Sequence, residues 1–140
     1  MSQVAMTDVE MRGFLSQPLI ADIVTLKKDS SPQITPVWYE FDGTYLYFST
    51  TTDRAKAKNI KRDNRIAICI RNEDAHKVVL FGGTASILDD GDHVMVRRIV
   101  SRYTPPDKVD EFLSDLEANR IIIRMKPINT ISWDFTKSGN

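Results

Sequence analysis

The segment FSTTTDRAKAKNIKRDNR, residues 48–65, concentrates the reactive side chains of this 140-residue chain. Four hydroxyls, Ser49, Thr50, Thr51 and Thr52, lead into residues 53–65, where eight of thirteen residues are charged and six are basic. Hydroxyls placed just before a helix start stand beside unpaired backbone N–H groups and the positive end of the helix dipole, a setting that favours an anion. Arg54 and Lys56 add positive charge to the same place. Arginine grips phosphate oxygens with paired hydrogen bonds, and lysine acts as a point charge. The run therefore reads as a phosphate cradle made without glycines. A solvated helix behind a Ser/Thr cap is the competing reading. Arg54 and Lys56 are poorly spaced for i,i+4 pairing and have few acidic neighbours, which tells against it. Asp53 reads as a helix-start residue.

The second unusual stretch is TPVWY, residues 35–39. A proline within a strand leaves a backbone edge unpaired. Such an edge can read a flat ring that carries donors and acceptors. A plain edge strand, with Trp38 in the core or at a subunit interface, is the alternative. Other chemistry is missing. No GxGxxG, P-loop, GxSxG or HExxH motif occurs. The single cysteine, Cys69, lies in an apolar run and reads as a small buried hydrophobe. His76 and His93 lack local partners and read as exposed, and no spacing suggests a metal site. No side chain stands out as an acid or base; Tyr39, Tyr45, Tyr47 or a water remain open as proton donors.

The elements that must position these residues are mostly strands. Zero net charge, from 19 basic and 19 acidic residues, argues against a nucleic-acid binder. No apolar run reaches a membrane-spanning length, and no leader pattern opens the chain, so a cytoplasmic single domain over residues 1–140 is expected. Thr7 to Glu10 has capping-box spacing and begins an N-terminal helix within residues 1–18. Strands are expected at 23–26, 33–41 and 44–50, with a type I′ turn at Asp42-Gly43. A helix follows over 53–64, then strands at 65–71 and 76–88, with a bulge or corner at Gly82-Gly83. Helices are expected over 91–103 and 104–119. Two final strands, split by Pro127, fill 120–135, and 136–140 form a polar tail. Six or seven strands, the first ones paired as hairpins, favour a small antiparallel barrel with flanking helices.

The block from Thr35 to Ile70 resembles the pyridoxamine-phosphate-oxidase-like, or flavin-reductase-like, split β-barrel family. Pro36-Val37-Trp38, Asp42-Gly43, Ser49-Thr50, Arg54-Ala55-Lys56-Ala57-Lys58-Asn59-Ile60 and Asp63-Asn64-Arg65 match its features, and PINTISWDF resembles its last strand. Asn64 replaces a proline of the family pattern. The chain is short for a true pyridoxamine phosphate oxidase and lacks that enzyme's C-terminal substrate motif, so that activity is set aside.

The resemblance implies a homodimer with two cofactor sites at the subunit interface, each taking FMN or its deazaflavin relative, coenzyme F420. It implies that Ser49, Thr50, Thr51, Arg54, Ala55 and Lys56 hold the cofactor's phosphate. It implies that Thr35, Pro36, Val37 and Trp38 face the ring, and that His76, Lys77 and Val78 of a partner chain close the site. TPVWY followed by RAKAKNIKRDNR is most similar to the deazaflavin-dependent branch, where Lys58, Lys61 and Arg62 would meet an acidic polyglutamate tail. The expected function is hydride transfer between bound coenzyme F420 and a small planar substrate. An FMN-dependent reductase or oxidase, and a non-catalytic flavin, haem or tetrapyrrole binder, are the alternatives.

Overall fold

Alternation in the apolar runs sets the sheet. In β1 (Ala21–Leu26), Ala21, Ile23 and Thr25 face the core while their neighbours face outward. In β5 (Arg65–Arg71), Ile66, Ile68 and Ile70 do the same. Cys69 therefore lies half-buried on the outer face and is not a core residue. Desolvation, followed by the nearby Asp22 carboxylate, raises its thiol pKa.

The computed structural model describes residues 4–138. It adds β2 (Pro32–Val37), β3 (Glu40–Phe41), β4 (Leu46–Thr51), β6 (Lys77–Asp89) and β7 (Arg120–Asp134). All seven strands form one antiparallel sheet in the order β2-β1-β5-β6-β7-β4-β3. Helices α1 (Asp8–Leu15), α2 (Ala55–Arg62), α3 (Val94–Tyr103) and α4 (Val109–Ser114) surround it. The mainly-β split barrel with flanking helices is thus the observed fold.

The expected single strand over 33–41 is in fact two. β2 and β3 lie at opposite edges of the sheet, yet only Trp38 and Tyr39 separate them. Three Cα–Cα steps span at most about 11 Å, so the sheet must curl until its edges meet at these residues. Tyr39 turns inward and is fully buried, donating its hydroxyl to the Leu15 and Gln17 carbonyls. Its core neighbours include Phe14 and Leu15 of α1, Ala57 and Ile60 of α2, and Phe48, Ile123 and Met125 of the sheet. The expected edge position of Pro36 is observed, paired on one side only, with Asp22.

Other local expectations need correction. Asp42-Gly43 is not a type I′ turn. Only Gly43 has positive φ, 98°. The loop covers four residues, because the Asp42 carboxylate accepts the N–H groups of Thr44 and Tyr45 and delays β4. Pro127 does not divide the last strand. The register shifts at Gly82-Gly83, which pair with Asn129 and Pro127 and leave Ile128 as the extra residue of a bulge. A Cβ at Gly83 would collide with the Lys126 carbonyl.

The helix over 104–119 shrinks to a 3-10 turn at Pro106–Lys108 and the six-residue α4. The expected start of α3 at Gly91 moves to Val94, since buried Asp90 accepts the N–H groups of Met95 and Val96. The capping box of α1 is present, with Thr7 and Glu10 bonding reciprocally. Of the expected polar tail, Phe135–Ser138 form a 3-10 turn and Lys137 binds the Glu10 carboxylate at 2.8 Å. Residues 1–3 of the N-terminal segment and 139–140 of the tail lie outside the described residues.

Candidate functional site

A cavity of about 200 Å³ opens where β2 leaves the sheet. Pro36, Val37 and Trp38 make one wall. Ser49, Lys56 and Arg120 make a polar end, and Val96, Ile99, Val100, Phe112 and Leu116 of the α3–α4 insertion make the cover. A wider cleft of about 500 Å³ adjoins it, sharing Pro36, Val37, Trp38 and Phe112 and adding Ile20. Register explains the polar end. Ser49 pairs with Ile122 and Thr51 with Arg120 across β4 and β7, so Ser49, Ile122 and Arg120 share the face turned away from the barrel core. The α3–α4 insertion covers that face, which is why Ile122 is buried there.

Trp38 is oriented by the insertion. Its ring stacks on Tyr103 at 4.8 Å with an interplanar angle of 2°, and Phe112 lies 5.6 Å away on a tilt. The Tyr103 hydroxyl donates to the Leu19 carbonyl at 2.6 Å. None of Tyr39, Tyr45 and Tyr47 lines either cavity. The Tyr47 hydroxyl binds Asp42, and the Arg124 guanidinium lies over the Tyr45 ring.

Three cations gather at the polar end. Lys56 is half-buried, and desolvation, then Arg54, then Arg120 lower its pKa. Among the described residues no carboxylate pairs with it. The Arg120 side chain is 16% exposed; it donates to Glu117 at 2.8 Å and weakly to Ser49 at 3.4 Å, and its Nε is buried without a partner. Arg54 is exposed and 3.9 Å from the same Glu117. Partly buried cations short of partners fit an anion. The flat apolar wall beside them fits a ring. The residues present thus suit a planar group that carries a phosphate.

The expected residues divide. Pro36, Val37, Trp38, Ser49 and Lys56 line the cavity, with Arg54 at its margin. Thr50 faces the barrel core, its hydroxyl buried and unpartnered. Thr51 binds Asp53 at the head of α2. Thr35 lies on the inward-facing side of β2, and Ala55 is exposed on α2. Within one chain, His76, Lys77 and Val78 do not line the cavity. His76 pairs with Asp74, Lys77 lines a separate cavity by α1, and Val78 is buried. Arg54, not a hydroxyl residue, is the N-cap of α2, and it makes no side-chain cap bond. Arg62 donates to the Leu26 carbonyl, while Lys58 and Lys61 face outward.

Arg120 and the whole α3–α4 cover were not anticipated. One signal was present: RIIIR carries adjacent buried isoleucines, so both faces of that strand need a cover.

A family model described as pyridoxamine 5'-phosphate oxidase matches residues 7–134. The chain belongs to that family. Its members are generally flavin-dependent oxidoreductases. Among solved structures, a conserved hypothetical protein from Mycobacterium tuberculosis is 25% identical over all of this chain and 92% of its own, with a TM-score of 0.88. An F420 reductase is 28% identical over 85% of this chain and 94% of its own, with a TM-score of 0.72. A putative pyridoxamine 5'-phosphate oxidase from Listeria innocua, 15% identical over 89% of this chain and 96% of its own at a TM-score of 0.70, shares the fold. Among the described residues no helix is long and apolar enough to cross a membrane.

Proposed function

We propose that the protein is an oxidoreductase that uses bound coenzyme F420 to transfer hydride to or from a small planar organic substrate. The observation that carries this reading is the junction of the Pro36-Val37-Trp38 wall with the Ser49, Lys56 and Arg120 end. One part suits a flat ring and the other its phosphate. The likeness to an F420 reductase favours the deazaflavin over FMN. The cofactor supplies the hydride chemistry, and the protein supplies binding, orientation and electrostatics.

In this reading Ser49, Arg54 and Lys56 hold the phosphate, and the free edge of β2 at Pro36 and Val37 meets the ring. Tyr103 fixes the Trp38 indole, while Val96, Ile99 and Phe112 keep water from one side. Tyr39, Tyr45 and Tyr47 do not line the cavity, which favours water as the donor in this reading. Lys58 and Lys61 are the exposed charges available to an acidic tail.

The reading includes a homodimer, and the exposed apolar rows of the outer sheet face support it. Ile34, Val24 and Ala67 form one cross-strand row, and Cys69, Leu80 and Ile131 another. Ile34 is 67% exposed and Ile131 59%. A partner packed there would bury these rows, next to the cleft that Ile20 and Pro36 border. The His76–Val78 turn of a partner chain would then close the site.

Titration with FMN and with coenzyme F420 tests the reading. Coenzyme F420 is expected to bind, and Arg54→Ala with Lys56→Ala to weaken binding at least about a hundredfold, since each removes a charge-assisted contact. Unchanged affinity in that double variant sinks the phosphate assignment. Binding of FMN alone moves the protein to the flavin branch.

A further inference from the structure

Glu117 is the carboxylate that bridges two of the three cations, whereas Asp53 at the head of α2 is already held by Thr51 and Asn119. Its carboxylate binds Arg120 at 2.8 Å and reaches Arg54 at 3.9 Å. The cation and the carboxylate differ in freedom. The Arg120 side chain is 16% exposed, whereas that of Glu117 is 51% exposed. Arg120 is anchored at the head of β7, and Asn119 beside it is clamped. The Asn119 carbonyl accepts from Thr52 N–H, and its amide donates to Thr52 and Asp53. On the other side of Glu117 lies only the turn from α4. A rotamer change therefore removes the carboxylate without moving β7.

We propose that Glu117 occupies the anion subsite in place of a ligand phosphate and is displaced when that phosphate arrives. Arg120 then exchanges one anion for another, and its unpartnered Nε gains an acceptor. This rests on the phosphate reading of the site given above. It adds an internal competitor, set on the segment that also carries Phe112 and Leu116 over Trp38.

The test compares a phosphate-bearing cofactor with its dephosphorylated form, FMN against riboflavin or coenzyme F420 against its phosphate-free chromophore, by fluorescence titration. Glu117→Gln is expected to tighten the phosphate-bearing form about three- to fivefold, the scale of an exposed ion pair, and to leave the dephosphorylated form unchanged. Arg120→Gln is expected to weaken the phosphate-bearing form about tenfold or more and spare the other. An unchanged preference in Glu117→Gln, or equal weakening of both forms in Arg120→Gln, overturns the proposal. If Arg54→Ala with Lys56→Ala abolishes the preference while Glu117→Gln is inert, this proposal fails and the phosphate reading stands. If no cofactor binds, inorganic phosphate decides. A larger thermal shift in Glu117→Gln than in the parent supports the competitor, and equal shifts overturn it.

Discussion

Helices α3 and α4 cover the same cavity but are held by different forces. α3 is tied by polar bonds. Arg98 pairs with Glu40 at 3.2 Å, and Arg102 donates to the carbonyls of Leu15, Ser16 and Gln17 while lying over the Tyr39 ring. Tyr103 bonds to Leu19 and accepts from the Tyr39 N–H. α4 rests on apolar contact, with Val109 buried and Leu113 and Leu116 partly so. Its ion pairs, Arg97–Asp110 and Lys108–Glu111, are exposed and add little. One half of the cover is a fixed wall that aims Trp38. The other half is held by fewer polar ties.

Three variants and a pH series break or sharpen that contrast. The largest effect is expected for Ile99→Ala, since Ile99 is 2% exposed on α3. It should lose about 2–3 kcal/mol in urea denaturation, near the low end for such truncations because a cavity already adjoins it. Arg102→Ala should cost about 1–2 kcal/mol, less than three charged hydrogen bonds suggest because the site is partly wet. Phe112→Ala, at a residue 40% exposed, should cost under about 1 kcal/mol while still weakening ring binding. A loss as large as that of Ile99→Ala would erase the distinction between the helices.

The smallest effect concerns pH. Lys56 has a lowered pKa, so it loses its proton below the ordinary 10.5. Only the protonated form attracts an anion. Affinity for a phosphate-bearing cofactor should therefore decline as pH rises through that lowered value, and Lys56→Ala should flatten this limb.

The legible part of the site was local in sequence. Ser49, Arg54 and Lys56 lie within eight residues, and a strand followed by a basic helix suffices to bring them together. Arg120 and Glu117 were not legible, because their place depends on β7 pairing with β4 across the sheet. The strand over 33–41 was misread for a related reason. Its extended character is continuous, but its hydrogen bonding changes from one sheet edge to the other at Trp38-Tyr39, and periodicity carries no trace of that. The Pro127 break was misread because a bulge absorbs a proline when the facing residue is glycine. The length of α4 was overestimated because Val109, Phe112, Leu113 and Leu116 keep helical spacing through a turn.

The side-chain contact of Ser49 with Arg120 also has a consequence in time. The two residues stand 71 positions apart, so the cationic floor exists only after a long loop has closed. Contacts that form late in folding act mainly on how fast the native state opens. A bound phosphate should accordingly slow unfolding far more than it speeds folding. The protein's resistance to heat and proteases over hours would then report whether its site is filled.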